Sequence, residues 1–253
     1  MKTLVSMGRG GTGKTSFVAL TTKYFIEKKV SPMLLIDADP DQSLADVLGV
    51  DFEGEGKKTI SELLVETFIE GGGTLVGVPP SERMESRIWE EGLYEGEYFD
   101  LIVIGPKWVE GCYCLPNEAL RAALGSLIKN YKYIIIDTPA GLEHLNRRIT
   151  TRVNDIFDLI DPSLKSFDHV ARAHRIAKEV NIKFDNFYVV GGFRFPENLG
   201  SKVESMLGLK FLGKIAFDEN VENSILSGRS LLEIPADSPA YRSVKEILAK
   251  AGY

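Results

Sequence analysis

Continuous apolar runs alternate with amphipathic stretches along most of this chain. Strands are expected at Lys2–Met7, Met33–Asp37, Thr74–Val78, Leu101–Ile104, Tyr133–Asp137, Ile156–Ile160, Phe187–Val190 and Phe211–Ile215, each a short apolar segment of strand length. Several of them, Ile134-Ile135-Ile136 for example, run on without polar interruption, as strands do when both faces are covered. Helical stretches such as Ser16–Glu27, Asn117–Lys129 and Tyr241–Tyr253 accompany them. The alternation predicts an α/β fold: one mostly parallel sheet of about seven to eight strands with helices on both faces. Residues 51–98 fit the rhythm least, with Gly71-Gly72-Gly73 and Pro79-Pro80 marking loops. They read as an irregular elaboration of a single domain over residues 1–253. Sheets of this kind bind ligands at the carboxyl ends of their strands, so chemistry is expected after Met7, Asp37, Ile104 and Asp137.

Chemistry is plainest after the first strand, where Gly8-Arg9-Gly10-Gly11-Thr12-Gly13-Lys14-Thr15 leads into the helix opened by Ser16. A strand, a glycine-rich turn and a helix together make a phosphate cradle. Glycines let backbone N–H groups converge on phosphate oxygens without a side-chain clash. Lys14 supplies a charge for the β- and γ-phosphates, and the Thr15 hydroxyl can ligate Mg²⁺. A plain glycine-rich turn would leave Lys14-Thr15 unexplained. Residues Gly8 to Ser16 are therefore the candidate nucleotide-binding set.

Two further acidic motifs follow in order. Leu34-Leu35-Ile36-Asp37-Ala38-Asp39-Pro40 places two carboxylates just past a strand. A polar turn would use the same residues, but phosphoryl transfer needs mainly positioning and charge stabilisation, for which a carboxylate aimed at water suffices. Ile134-Ile135-Ile136-Asp137 is an apolar strand ending in an acid able to reach Mg²⁺ through water. It continues as Thr138-Pro139-Ala140-Gly141-Leu142-Glu143-His144, which resembles the switch II segment of P-loop ATPases, a resemblance that implies Gly141 lets the backbone turn toward a γ-phosphate. Three such motifs in this sequence order predict a nucleotide hydrolase.

Composition narrows the setting. A chain of 253 residues, 44% hydrophobic and 26% charged, can bury a proper core. No run approaches the roughly 18 apolar residues of a membrane span, and no signal-peptide pattern opens the chain, so a cytoplasmic protein is expected. A formal charge of −6 gives no footprint for nucleic acid. Arg242, Lys245 and Lys250 are too sparse for a stable membrane anchor at the last helix.

The two cysteines of the chain lie one residue apart, in Gly111-Cys112-Tyr113-Cys114. A structural disulfide is out of place in a cytosolic chain and strained at this spacing. Two small hydrophobes in a loop or core remain one reading. The other is metal binding: two thiolates are half of a tetrahedral site, and a twofold dimer would supply the missing pair.

GRGGTGKT, with a basic residue after the first glycine, resembles the deviant Walker A motif of the MinD/ParA/nitrogenase-iron-protein class of P-loop ATPases. That class usually carries lysine where this chain has Arg9, and the resemblance implies that Arg9 reaches nucleotide on a partner subunit. It also implies that Asp39 orients or activates the attacking water while Asp37 and Asp137 help hold Mg²⁺. The order GRGGTGKT, DADPD, GCYC and DTPAGLEHLNRR, spanning essentially the whole chain, closely resembles the CooC-type ATPases that mature nickel-containing carbon monoxide dehydrogenase. This implies ATP/ADP as nucleotide. It also implies a homodimer promoted by nucleotide, Ni²⁺ (or Zn²⁺) held by Cys112 and Cys114 of both subunits, and apo carbon monoxide dehydrogenase or a related nickel enzyme as client. An Fe–S electron-transfer ATPase and a MinD/ParA-like positioning switch are the alternatives. Relatives commonly place an asparagine where this chain has Gly191-Gly192 and a proline near Ile215, where it has Ala216. His169 and His174, five residues apart on an expected helix, face different ways and are read as packing or surface residues.

Overall fold

The order of the strands follows from which of them are apolar throughout. The computed structural model describes residues 1–70, 77–106, 114–140, 152–179 and 182–253, with the side chains of residues 69–70 and 114–117 also outside the description. Eight strands form one sheet: β1 (Lys2–Gly8), β2 (Met33–Asp37), β3 (Leu93–Glu95), β4 (Asp100–Val103), β5 (Tyr133–Asp137), β6 (Arg152–Ile160), β7 (Lys183–Gly191) and β8 (Lys210–Lys214). Their spatial order is β3-β4-β2-β5-β1-β6-β7-β8. All pairings are parallel except β3 with β4. The unbroken apolar strands β2, β5 and β1 lie at the centre, where both faces are covered.

Alternate residues of each strand feed two cores. Val5, Met7, Ile134, Ile136, Ile156 and Ile160 point to one face, under the helices α5 (Cys114–Leu127) and α6 (Leu164–Glu179). Leu4, Ile135, Phe157 and Leu159 point to the other, under α1 (Lys14–Glu27) and the last helix (Pro239–Ala251). Each fully buried side chain of this size contributes about 1.5–3 kcal/mol before its entropy cost. The last helix is bounded by Pro239 in its first turn and left-handed Gly252 after its end. It buries Tyr241, Val244 and Leu248 at helical spacing.

The irregular stretch resolves into short helices, α2 (Ser43–Leu48) before it, then α3 (Ile60–Val65) and α4 (Pro80–Arg87) with π-helical turns after each. A reciprocal cap starts α3: Thr59 N–H donates to Glu62 Oε2 at 2.7 Å, and Glu62 N–H donates to Thr59 Oγ1. Ser61 N–H and Oγ both donate to the Ile104 carbonyl, so α3 pins the chain leaving β4. The remaining helices are α7 (Gly200–Leu207), α8 (Glu219–Ser227) and α9, the Pro239–Ala251 segment.

The strand expected at Thr74–Val78 is not borne out in its described part, because Gly77 (φ 106°) and Val78 form a turn. Its first three residues, Thr74 to Val76, lie outside the described residues. The edge strand β3 replaces it in the count; three residues are too few to register as a periodic pattern. The helix expected from Asn117 begins at Cys114.

Candidate nucleotide site

Gly8 fixes the entrance to the loop. Its φ is 140°, and a Cβ there would stand 2.3 Å from the Leu159 carbonyl oxygen, so β1 turns into the loop tight against β6. Gly13, with φ 93°, is the left-handed residue from which α1 departs. The free N–H groups of the first turn of α1 thus open toward the loop. Lys14 is buried, and its Nζ donates to the Arg9 carbonyl at 3.3 Å. Thr12 Oγ1 donates to the same oxygen at 2.8 Å. Arg9 itself leans away from the cradle: its Nη1 lies 3.3 Å from Asp161 Oδ2 and 3.1 Å from Ser163 Oγ.

The carboxylates converge at the carboxyl ends of β2 and β5, where Asp37 and Asp137 are register partners. Asp37 is fully buried, accepting N–H bonds from Asp39 at 3.0 Å and from Leu44 in α2 at 2.9 Å. Burial, and secondly the Asp137 charge, push its carboxyl up to about 7. Burial pushes Asp137 up to about 6, against the Thr15 hydrogen bond and the Lys14 charge. Thr15 Oγ1 donates to Asp137 Oδ2, whereas Asp137 Oδ1 is buried with no partner among the described residues. Asp39 is half-buried, its Oδ1 accepting the Asp41 N–H at 3.1 Å.

Two adjacent buried acids, an orphaned carboxylate oxygen and a hydroxyl suit a hard divalent cation, which would relieve the repulsion that raises both carboxyls. Among the described residues, no group of three or more His, Cys, Asp or Glu forms a protein-only metal cage. Mg²⁺ in phosphate sites takes only one or two protein carboxylates and draws other ligands from phosphate and water, so the arrangement fits that ion.

Beside the start of α1 lies a cavity of about 400 Å³, lined by Gly13, Ser16, Phe193, Ile215, Ala216 and Phe217 among others. The rings of Phe193 and Phe217 stand 6.5 Å apart there. Its walls are mostly apolar, as a nucleobase pocket requires. Gly192 explains its own identity: a Cβ would meet the Thr12 carbonyl oxygen at 2.5 Å, so the end of β7 packs directly on the loop.

Cys112 and Gly141 lie outside the described residues, as do Glu143 and His144. Cys114 opens α5 in its backbone, but its side chain is not described. His174 packs on Phe184 and Phe187, and His169 is half-buried on α6. Sequence reasoning missed Ser43, whose Oγ lies 3.5 Å from Thr15 Oγ1. It also missed Asp158, fully buried in β6 with both carboxylate oxygens unpartnered among the described residues. An acid inside an apolar strand buried on both faces is the signal that would have found the second.

The sequence profile of the anion-transporting ATPase family matches residues 1–71. An uncharacterized ATP-binding protein of Methanocaldococcus jannaschii, MJ0685, is 35% identical over 247 residues, covering 96% of this chain and 95% of the relative. The chain belongs to the same family of P-loop ATP-binding proteins as MJ0685. A carbon monoxide dehydrogenase accessory protein, CooC of Rhodospirillum rubrum, is 26% identical over 258 residues, covering 96% of this chain and 93% of that one. The septum site-determining protein MinD of Pyrococcus horikoshii, solved with Mg-ADP, superposes with a TM-score of 0.71 at 18% identity. That superposition covers 99% of this chain and 96% of the other. It establishes the shared fold, a single α/β domain on an eight-stranded, mostly parallel sheet. No helix among the described residues is long and apolar enough to cross a membrane.

Proposed function

We propose that this P-loop ATPase hydrolyses ATP with Mg²⁺ and uses the nucleotide to pair two copies of the chain around a thiophilic metal cargo. The observation that carries the ATPase reading is the Thr15–Asp137 hydrogen bond beside the orphaned Asp137 Oδ1. Thr15 and Asp137, with Asp37 alongside, would hold Mg²⁺, which when bound neutralises charge on the phosphate oxygens. Gly10 to Ser16 cradle the phosphates, Lys14 leaves the Arg9 carbonyl for the β- and γ-phosphates, and Asp39 orients the attacking water. Gly141 turns the following segment toward the γ-phosphate. Adenine occupies the apolar cavity beside α1. Arg9 contacts nucleotide across the paired copies.

The cargo is Ni²⁺, with Zn²⁺ able to replace it, held as substrate by Cys112 and Cys114 of both copies. The client is apo carbon monoxide dehydrogenase or a related nickel enzyme in the cytoplasm. Supporting this finer reading are the CxC spacing, four thiolates being complete only in a pair, and the CooC relative at 26% identity. The test is a Ni²⁺ titration with and without ATP, read by particle size and metal content together. One metal ion per two chains, lost when both cysteines are replaced by serine while nucleotide still binds, is the expected result. Unchanged nickel stoichiometry in that double variant would rule the site out, and stoichiometric iron with sulfide after anaerobic purification would replace it with a cluster.

A further inference from the structure

Beneath the loop, on the face of the sheet away from α1, lies a buried acid with nothing to bind. Asp158 is fully buried in β6, and neither carboxylate oxygen has a hydrogen-bond partner among the described residues. Its partners in register are Met7, the last side chain of β1 before Gly8, and Val189 of β7. Alternation along β6 sets Asp158 with Ile156 and Ile160, on the core to which α6 contributes Phe167 and Val170. An unpaired ionised carboxylate is costly in such surroundings, so the group keeps its proton unless a cation compensates.

One cation does so in part. The Lys14 charge is what opposes burial at Asp158, whose carboxyl is still pushed up to about 8. The same lysine acts on Asp137, which alternation sets with Ile135 on the opposite face of the sheet. Lys14 is thus shared electrostatically by an acid on each face, while its own hydrogen bond, at 3.3 Å, goes to a neutral group, the Arg9 carbonyl. The other titratable group on the α6 side that feels Lys14 is His169. Burial and the charges of Arg9, Arg172 and Lys14 lower its pKa, so it is neutral above about pH 7.

We propose that Asp158 is a positioning residue of the nucleotide site that acts through Lys14, sharing the lysine charge while the cradle is empty and taking up a proton from solvent when phosphate draws that charge away. The inference rests on the phosphate role given to Lys14 above. In the empty cradle at alkaline pH, the ammonium supports the ionised carboxylate and is held back by it. Once phosphate oxygens neutralise the ammonium, the carboxylate stands alone in an apolar core and binds a proton. Below about pH 8 the acid is protonated with or without nucleotide, and the lysine is free. Above that, binding takes up a proton, so affinity falls as pH rises.

The experiment uses the full chain with a non-hydrolysable ATP analogue and saturating Mg²⁺. Calorimetry from about pH 8 to about pH 9.5, in buffers of different ionisation enthalpy, counts the protons exchanged. Asp37 and Asp137, raised to about 7 and about 6, are mostly ionised there, as are the nucleotide phosphates. The parent chain should take up about one proton per nucleotide and lose up to about tenfold in affinity per pH unit. Asp158→Asn should lose both the uptake and the slope, and Asp158→Val, suited to an apolar strand, should do the same. Difference infrared spectroscopy reads the event in the parent without any substitution: a protonated-carboxyl band should grow when the analogue is added at about pH 8.5. A merely structural role would shift affinity equally at every pH and leave the proton count unchanged. That result, or no new carboxyl band in the parent, overturns the inference and leaves the phosphate role of Lys14 standing. A parent chain that binds no analogue at any pH overturns both.

Discussion

Thr15 Oγ1 donates a 2.6 Å hydrogen bond to Asp137 Oδ2, which ties the first turn of α1 to the carboxyl end of β5. Two motifs 122 residues apart in sequence thereby act as one unit. Asp137→Asn keeps the shape but removes the charge and can turn an N–H toward the hydroxyl. Mg²⁺-dependent ATP turnover should fall by about 10–100-fold, the usual cost of losing a supporting metal-site residue. Turnover and metal dependence equal to the parent's would remove Asp137 from the site.

Gly192 and Thr12 form a tight junction between the sheet and the loop. Gly192→Ala places a methyl 2.5 Å from a backbone oxygen, which cannot give way as a flexible side chain would. The expected cost is about 1–3 kcal/mol of stability, with weakened nucleotide binding because the loop must shift. Gly125→Ala is the contrast: it lies in α5 with no neighbour within 4 Å, so it should stabilise by about 0.5–1 kcal/mol. Thermal unfolding and nucleotide titration of the two variants separate a packed glycine from an idle one.

Much of this architecture was legible in the chain because parallel strands covered on both faces announce themselves as apolar runs. Met33–Asp37 and Tyr133–Asp137 were readable to the residue. The ends of β6 and β7 were not, since Asn154, Asp155 and Asn186 carry polar side chains that pair across strands, as Asn186 does with Asp155. Of the site, Lys14, Thr15, Asp37 and Asp137 were visible as local motifs. Asp161 and Ser163 were not, because their meaning depends on β6 lying beside β1, a neighbourhood that only the folded sheet creates.

The apolar cavity beside α1 makes a separate prediction about the base. Phe193→Ala and Phe217→Ala should each weaken ATP binding, by about 1–3 kcal/mol if the ring stacks on adenine. The penalty should vanish for ribose triphosphate, which lacks the base. An equal penalty for both ligands would mean that the rings shape the loop rather than hold adenine.

Asp158 makes stability depend on pH. Burial pushes its carboxyl up to about 8, with only the Lys14 charge opposing, from 3.8 in the unfolded chain. Below about pH 4 both states hold the proton. Between there and about pH 8 the unfolded chain has released it while the native chain keeps it, so the native state binds more protons. Unfolding then becomes easier as pH rises, by about 1.4 kcal/mol per unit for a single group. Above about pH 8 both states are ionised and the loss levels off. Asp37 and Asp137, also raised, push in the same direction over a narrower window. Asp158→Asn cannot ionise, so its stability relative to the parent should increase between about pH 5 and about pH 8, as read from urea unfolding. A difference that stays constant with pH would show that Asp158 is charged throughout.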